Sequence, residues 1–244
     1  MTYSRILTTL ALLATAMSAV GADIQTGIID FYDLAPYRNV NGKNRVFPLL
    51  IIHAGDFYFE GIELGYTLHE GEHTVLRLLA TPTMLGYESD DSSYLEGMET
   101  RKEDFAAGAE FTYRFGAKRI AFQLTHDLSG TYESYGAKLE FALQHPVGSR
   151  MVLEPYAGVR HLSADKADYY FGVKQDEARV GRPAYHPQAG NNAYLGIKTV
   201  YCVDDNWSLL GNIEQRVLDS DIAASPIVED SRAVSAYLGV TYQW

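Results

Sequence analysis

The sequence predicts an all-β chain folded as an antiparallel transmembrane β-barrel. Three observations carry this: a strict apolar/polar alternation in the last segment, its repetition upstream, and connections that alternate between tight and long. Ala233 to Trp244 sets Val234, Ala236, Leu238, Val240, Tyr242 and Trp244 against Ser235, Gly239, Thr241 and Gln243, with Tyr237 the one large member of the second set. Period two describes a strand with one oily and one wet face. A strand that closes a barrel in lipid needs about ten residues, an outward apolar row and an interfacial aromatic. The row Leu238, Val240, Tyr242 and Trp244 also resembles the signal read by the outer-membrane assembly machinery.

The same pattern recurs through the chain. Phe105, Ala107, Ala109, Phe111, Tyr113 and Phe115 alternate with Glu110, Thr112 and Arg114. Ile120, Phe122, Leu124 and Leu128 oppose Gln123, Thr125 and Asp127, and Tyr135, Leu139, Phe141 and Leu143 oppose Lys138 and Glu140. Further strands are read over 150–161, 193–203 and 207–218, and in the N-terminal third over 24–32, 46–54, 56–68 and 73–82. The wet faces carry Glu110, Arg114, Asp127, Lys138, Glu140, Glu154, Arg160, Lys198, Glu214 and Arg216. Both signs on successive strands fit charges that meet inside a closed barrel, while a bilayer covers the oily faces. A soluble sandwich would bury its oily faces against a second sheet instead.

Tight turns are read at Gly55-Asp56, Gly116 to Lys118, His145 to Ser149 and Asp204 to Asn206, and long connections at 83–103, 163–191 and 219–231. The tally of strands is eleven, but a single-chain barrel with both termini on one side needs an even number. Either 24–32 is not a barrel strand, giving ten, or one strand is hidden before residue 104, giving twelve. Twelve is preferred, because it places the 33–45 connection beside the other long ones.

Residues 1–22 read as a secretory signal peptide: Arg5, an apolar run from Ile6 to Val20, and small residues before Asp23. The barrel domain is then 23–244, and the expected location is an outer membrane. The formal charge of −11 without a basic cluster argues against nucleic acid. Cys202 is alone, so no intramolecular disulfide can form, and it is expected as a small lumen or core residue. His69 and His73 flank a Glu-Gly-Glu turn rather than one helix face, and His126 and Asp127 point to opposite faces of a strand. No Gly-x-Ser-x-Gly motif is present. No catalytic, cofactor or metal site is therefore expected.

Four blocks in order resemble the MltA-interacting protein (MipA)/OmpV family. Pro48-Leu49-Leu50, Gly55 to Tyr58 and Gly65-Tyr66 resemble its N-terminal pattern, with Leu50 where many members carry a second proline. Leu95, Gly97, Met98 and Arg101 resemble a second segment. Tyr169, Tyr170, Phe171, Gly172, Val173, then Glu177, Ala178, Gly181, Pro183, Ala184, Tyr185 and Pro187 resemble a third. Leu218 and Asp219, then Ser225, Pro226, Ile227 and Val228, resemble the last. The resemblance implies a barrel in the cell outer membrane of a Gram-negative bacterium, and for some members a scaffold linking a lytic murein transglycosylase to a peptidoglycan synthase. Others are described as porin-like or adhesin-like. The expectation is a non-enzymatic barrel for interaction or scaffolding; the alternative is a narrow channel for small solutes. The 169–190 block is expected as an ordered, aromatic-packed loop that locks the rim, folds into the mouth or presents a partner surface.

Overall fold

A computed structural model describes residues 21–244; the apolar run of the expected signal peptide lies outside the described residues. The strands are β1 (Asp23–Leu34), β2 (Lys43–Ala54), β3 (Phe57–Glu60), β4 (Glu63–Glu70), β5 (Thr74–Thr83), β6 (Asp104–Phe115) and β7 (Lys118–Asp127). β8 (Tyr135–Leu143, continued by His145–Val147), β9 (Met151–Leu162), β10 (Gly190–Cys202), β11 (Trp207–Val217) and β12 (Arg232–Gln243) follow. Two helices sit in connections, α1 (Ala164–Phe171) and α2 (Ser220–Ala223). The two parts of β8 pair with β9 in one register, Tyr156↔Ala142 and Leu153↔His145. They are interrupted opposite Pro155, which has no N–H for the ladder. β12 pairs with β1 from Gln25↔Gln243 to Leu34↔Val234, closing a barrel of twelve antiparallel strands.

The hidden strand lies inside the segment expected as one strand over 56–68. Gly61 (φ +71) and Ile62 turn the chain there and split it into β3 and β4. The face changes parity at that point: Phe57 is outward on β3, Leu64 and Leu68 on β4. That flip is the local signal of the turn. The turn expected at His145 to Ser149 is also shorter, because the strand runs on to Val147 and turns at Gly148 (φ +64). Cys202 is exposed at the short-turn end, not in the lumen or a core.

The alternation has the sense a membrane barrel requires. Phe111, Phe122, Leu139, Leu195, Ile213 and Leu238 are exposed on the outer wall, while Ala106, Ala121, Glu140, Tyr156 and Tyr194 are buried within. Aromatic groups gather at the short-turn rim: Trp207 on Tyr242 (5.0 Å), Tyr242 on Trp244 (5.1 Å), Phe57 on Tyr66 (4.7 Å). Tyr32, Phe105 and Tyr135 stand exposed towards the other end. Inside, β9 and β10 exchange two tyrosine–glycine pairs, Tyr156 over Gly196 and Tyr194 over Gly158. A Cβ on either glycine would lie 2.5 Å from the tyrosine oxygen. The rings thus lie flat along the wall, and their hydroxyls reach Asn212 (2.9 Å) and Glu140 (3.0 Å).

The end of β12 is fixed to the start of β1: Trp244 N donates to Ile24 O (3.1 Å) and its indole Nε1 to Thr26 Oγ1 (2.9 Å). Trp244→Asp puts a charge on this rim and removes the indole donor. The expected outcome is loss of the heat-modifiable folded band in envelope preparations and degradation in the periplasm. Normal folded-band yield would contradict the reading of Leu238, Val240, Tyr242 and Trp244 as an assembly signal.

Candidate functional site: a loop-built lid over an ion-paired lumen

The long connections converge over one mouth of the barrel and form a hydrophobic core of their own. Tyr37, Tyr87, Leu95, Met98, Tyr170, Phe171, Val173, Ile222, Ile227 and Val228 are all buried there, together with Leu162 and Leu218 from strand ends. Tyr37 meets Tyr87 edge-on at 4.7 Å and stacks on Phe171 at 5.7 Å. Such a core makes the connections a folded layer rather than loose loops.

Local sequence places each part. Ser163 caps α1 by accepting from Lys166 N, and Gly172 ends it, with Gly172 N donating to Asp168 O (2.8 Å). Beyond it Val173 and Tyr185 exchange both backbone bonds, folding 173–185 into a closed loop. Asp219 caps α2 through Asp221 N and also accepts from Asn191 N (3.0 Å), tying α2 to β10. Ser225 Oγ donates to Phe171 O (2.5 Å), and Tyr185 OH to Asp221 O (2.7 Å). Arg38 N donates to Ile227 O (2.8 Å), so the 35–42 connection joins the same layer. The Tyr169 to Pro187 block and the Ser225 to Val228 element therefore pack on each other. Of their residues Tyr170, Phe171, Gly172, Val173, Glu177, Pro187, Ser225, Ile227 and Val228 are buried, and Gly181 and Pro183 are exposed. Ala178, Ala184, Tyr185, Asp219 and Pro226 are intermediate.

Two buried cations hold the lid, and neither was expected in that role. The Arg101 and Glu177 side chains, 2% and 3% exposed, pair with both carboxylate oxygens at 2.8–2.9 Å. Glu177 also accepts from the backbone of Lys174 (2.9 Å) and Glu99 (2.8 Å). Burial alone would raise the Glu177 pKa, but those two N–H groups and Arg101 outweigh it, and the net shift is downward. Arg182, 1% exposed, donates to the carbonyl oxygens of Glu177, Glu96 and Tyr94, so carbonyl dipoles solvate it. At the lid–barrel junction Lys166 Nζ lies 3.3 Å from Asp104 Oδ2, which also accepts from Tyr170 OH (3.2 Å). The visible signal for Arg101 was its place in the second resemblance block. Arg182 and Lys166 offered none.

Beneath the lid the lumen is filled by ion pairs. Arg119 bridges Glu140 (2.6 Å) and Glu154 (2.9 Å); Lys198 approaches Glu154 (3.8 Å), and Lys138 approaches Glu110 (3.8 Å). Higher up, Arg160 lies 3.9 Å from Glu214, and Arg216 bridges Glu214 (3.6 Å) and Asp33 (2.9 Å). One expected lumen charge has another place. The Asp127 carboxylate accepts from Ser129 N, Tyr132 N and Glu133 N at 2.8–3.2 Å, capping the 128–134 turn instead of meeting a cation. Arg114 lines the lower end of the lumen by the short-turn rim, 3.5 Å from Glu70. A cavity of about 330 Å³ lies under the lid and one of about 570 Å³ below it; Glu63 and Lys138 line both. No group of three or more His, Cys, Asp or Glu residues able to hold a metal ion occurs among the described residues.

A closed barrel with an apolar outer belt, a charged lumen and a loop lid defines a membrane-spanning β-barrel of the outer-membrane kind. Residues 32–244 match the family described as MltA-interacting protein MipA, and the chain belongs to that family. It is 29% identical over 181 residues to outer membrane protein OmpV of Vibrio cholerae, covering 73% of this chain and 70% of that one. It is 23% identical over 212 residues to the MltA-interacting protein of Escherichia coli K12, covering 86% and 85%. Among solved structures, the translocator domain of autotransporter NalP from Neisseria meningitidis has a TM-score of 0.48 at 10% identity, covering 99% of this chain and 98% of that one. The protein is an outer-membrane barrel.

Glu177→Ala leaves Arg101 buried without its partner, a loss worth roughly 3–5 kcal/mol. The expected result is proteolysis of the lid in intact cells at protease levels that spare the parent, with the barrel fragment retained. pH provides a second reading. A carboxylate whose folded pKa is lowered stabilises the fold above its unfolded pKa and loses that contribution as pH falls through the folded value. The near-ultraviolet signal of the lid tyrosines should therefore fade below the ordinary carboxylate range while the far-ultraviolet β signal persists.

Proposed function

We propose that this protein is a non-enzymatic, plugged outer-membrane barrel that acts by holding a partner at the envelope. The partner, by relation to the Escherichia coli protein named MltA-interacting protein, is a murein transglycosylase; a peptidoglycan synthase as the second enzyme of the scaffold follows from the family resemblance alone. The observation that carries this reading is the lid: a mouth covered by a buried core, above a lumen of paired charges, suits a rigid anchor better than a conduit. The termini and the tight turns lie at the opposite end, which faces the periplasm in barrels of this kind. A periplasmic enzyme would then meet the turns at 55–56, 71–73, 116–117, 148–150 and 203–206, and not the lid.

The second reading, a narrow channel for small solutes, draws support from the two lumen cavities that share Glu63 and Lys138. Planar-bilayer recording separates the two. The anchor reading predicts no steady stepwise conductance from the purified protein and recovery of a murein transglycosylase with it from solubilised envelopes. Stepwise conductance with no murein enzyme recovered would replace the anchor with the channel.

A further inference from the structure

One stretch of the barrel wall lacks a neighbour. β3 has four residues, whereas a strand that crosses a membrane needs about nine to eleven. β2 pairs with β3 only over Ile51–Ala54, and β5 pairs with β4 only as far as Ala80. Above the Gly61–Ile62 turn, Lys43–Leu49 of β2 and Thr81–Thr83 of β5 therefore border a gap. Leu50 O accepts from Gly61 N at 2.9 Å. Alternate residues of a strand turn their peptide groups to the same side, so Asn44, Val46 and Pro48 direct theirs into the gap. Pro48 has no N–H to present there, and Pro82 stands on the β5 side, two residues beyond Ala80. Prolines and charges on a free edge oppose the addition of another strand. The gap is built to stay unfilled by backbone.

Its level can be read from β1. Pro48 is opposite Ile28, which is exposed on the apolar belt; Val46 is opposite Asp30, exposed on the same outer face. An aliphatic residue belongs among acyl chains and a carboxylate among head groups, so the gap spans that boundary. Unpaired backbone groups at such depth are tolerated only where they are buried in protein or face a wetted cavity. Two cavities adjoin the gap, one on each side. The 330 Å³ cavity under the lid reaches Thr81, Pro82 and Thr83 on the β5 side of the gap and extends to Phe31 and Asp33 of β1, behind β2, while no residue of β2 or β3 lines it. Its charges are of both signs: Arg160, Arg216, Lys138 and Lys166 with Asp33, Glu63 and Glu214. On the β2 side, Lys43 and Arg45 line a cleft of about 480 Å³ that separates β2 from the 84–103 connection. Arg45–Glu103 (2.8 Å) and a Lys43–Asp91 contact cross that cleft. The Arg45 and Glu103 side chains are 42% and 41% exposed, and exposed pairs of this kind are weak.

The geometry points to a lateral lipid site: the gap admits the zwitterionic head group of a single-chain amphiphile from the outer leaflet into the upper lumen cavity. Its acyl chain stays in the bilayer between Val46 and Ile62, both exposed apolar residues at the gap. The mixed charges of the cavity match a head group bearing both signs, and the 84–103 connection acts as a latch. The site stands independently of whether a murein enzyme binds at the other end.

The test uses full-length protein in liposomes, with Cys202→Ser as background and Arg45→Cys and Glu103→Cys as a pair across the latch. The probe is a lysophosphatidylcholine carrying a photoactivatable group beside its glycerol. Adducts are mapped by peptide mass spectrometry, and heat-modifiable migration confirms folding. Adducts on Thr81 to Leu85 are expected when the thiols are capped singly. Bridging them with a short bis-maleimide should reduce those adducts about fivefold or more, the population change that a kilocalorie-scale latch gives. The Cys202→Ser protein with Arg45 and Glu103 intact should show the same adducts, which excludes an effect of the latch substitutions. Adducts confined to outward residues such as Leu78 and Leu238, lumen adducts indifferent to bridging, or a second copy cross-linked at Val46 would each overturn the proposal.

Discussion

The structure depends on one constraint: in a membrane, every backbone N–H and C=O of the wall must find a partner within the protein. The pairing of β1 with β12 meets it where an open sheet would fail, and it explains why the two ends of the described chain meet. The proline opposite the interruption in β8 obeys the same rule, since Pro155 demands no donor partner there. The exception at β2 stands out against eleven other strand contacts, and its two prolines reduce the number of donors left open.

The inner and outer faces then divide the remaining work. Lipid covers the apolar belt, so no second sheet is needed, and the polar set is free to neutralise itself inside. Arg119 and Arg216 each reach a carboxylate two strands away, Glu154 and Asp33, and Lys198 approaches Glu154 directly opposite it on the neighbouring strand, at a depth where charge is costly unless paired. The lid uses a different chemistry. It has the aromatic core of a small globular domain, with Arg101 and Arg182 buried and their donors taken up by Glu177 and by carbonyl oxygens.

Much of this was legible because period-two alternation survives any detail of register. The outward rows of β6, β7, β8, β11 and β12 lie where the alternation put them, and the preferred strand number of twelve is the one found. The hidden turn was missed because Gly61–Ile62 interrupts an almost continuous hydrophobic segment; only the parity change between Phe57 and Leu64 marks it. Charge pairing was legible as a class but not in its partners. Asp127 has the parity of a lumen residue, yet it sits one position from a turn whose N–H groups it satisfies. Arg119 and Asp33 lie at strand positions where polarity alone carries no partner information. The lid contacts of Ser225 with Phe171 and of Arg38 with Val228 join residues 54 and 190 positions apart in sequence. Such contacts leave no local pattern.

The central claim is that the connections at 35–42, 84–103, 163–189 and 218–231 form one folded lid over the barrel mouth. Amide hydrogen exchange of the protein in a membrane mimetic tests it most directly. The account predicts that Tyr87, Arg101, Val173, Tyr185 and Val228 are protected and open together as one cooperative unit. Unprotected exchange at these amides, each at its own rate, would show that the mouth is uncovered and would contradict the account.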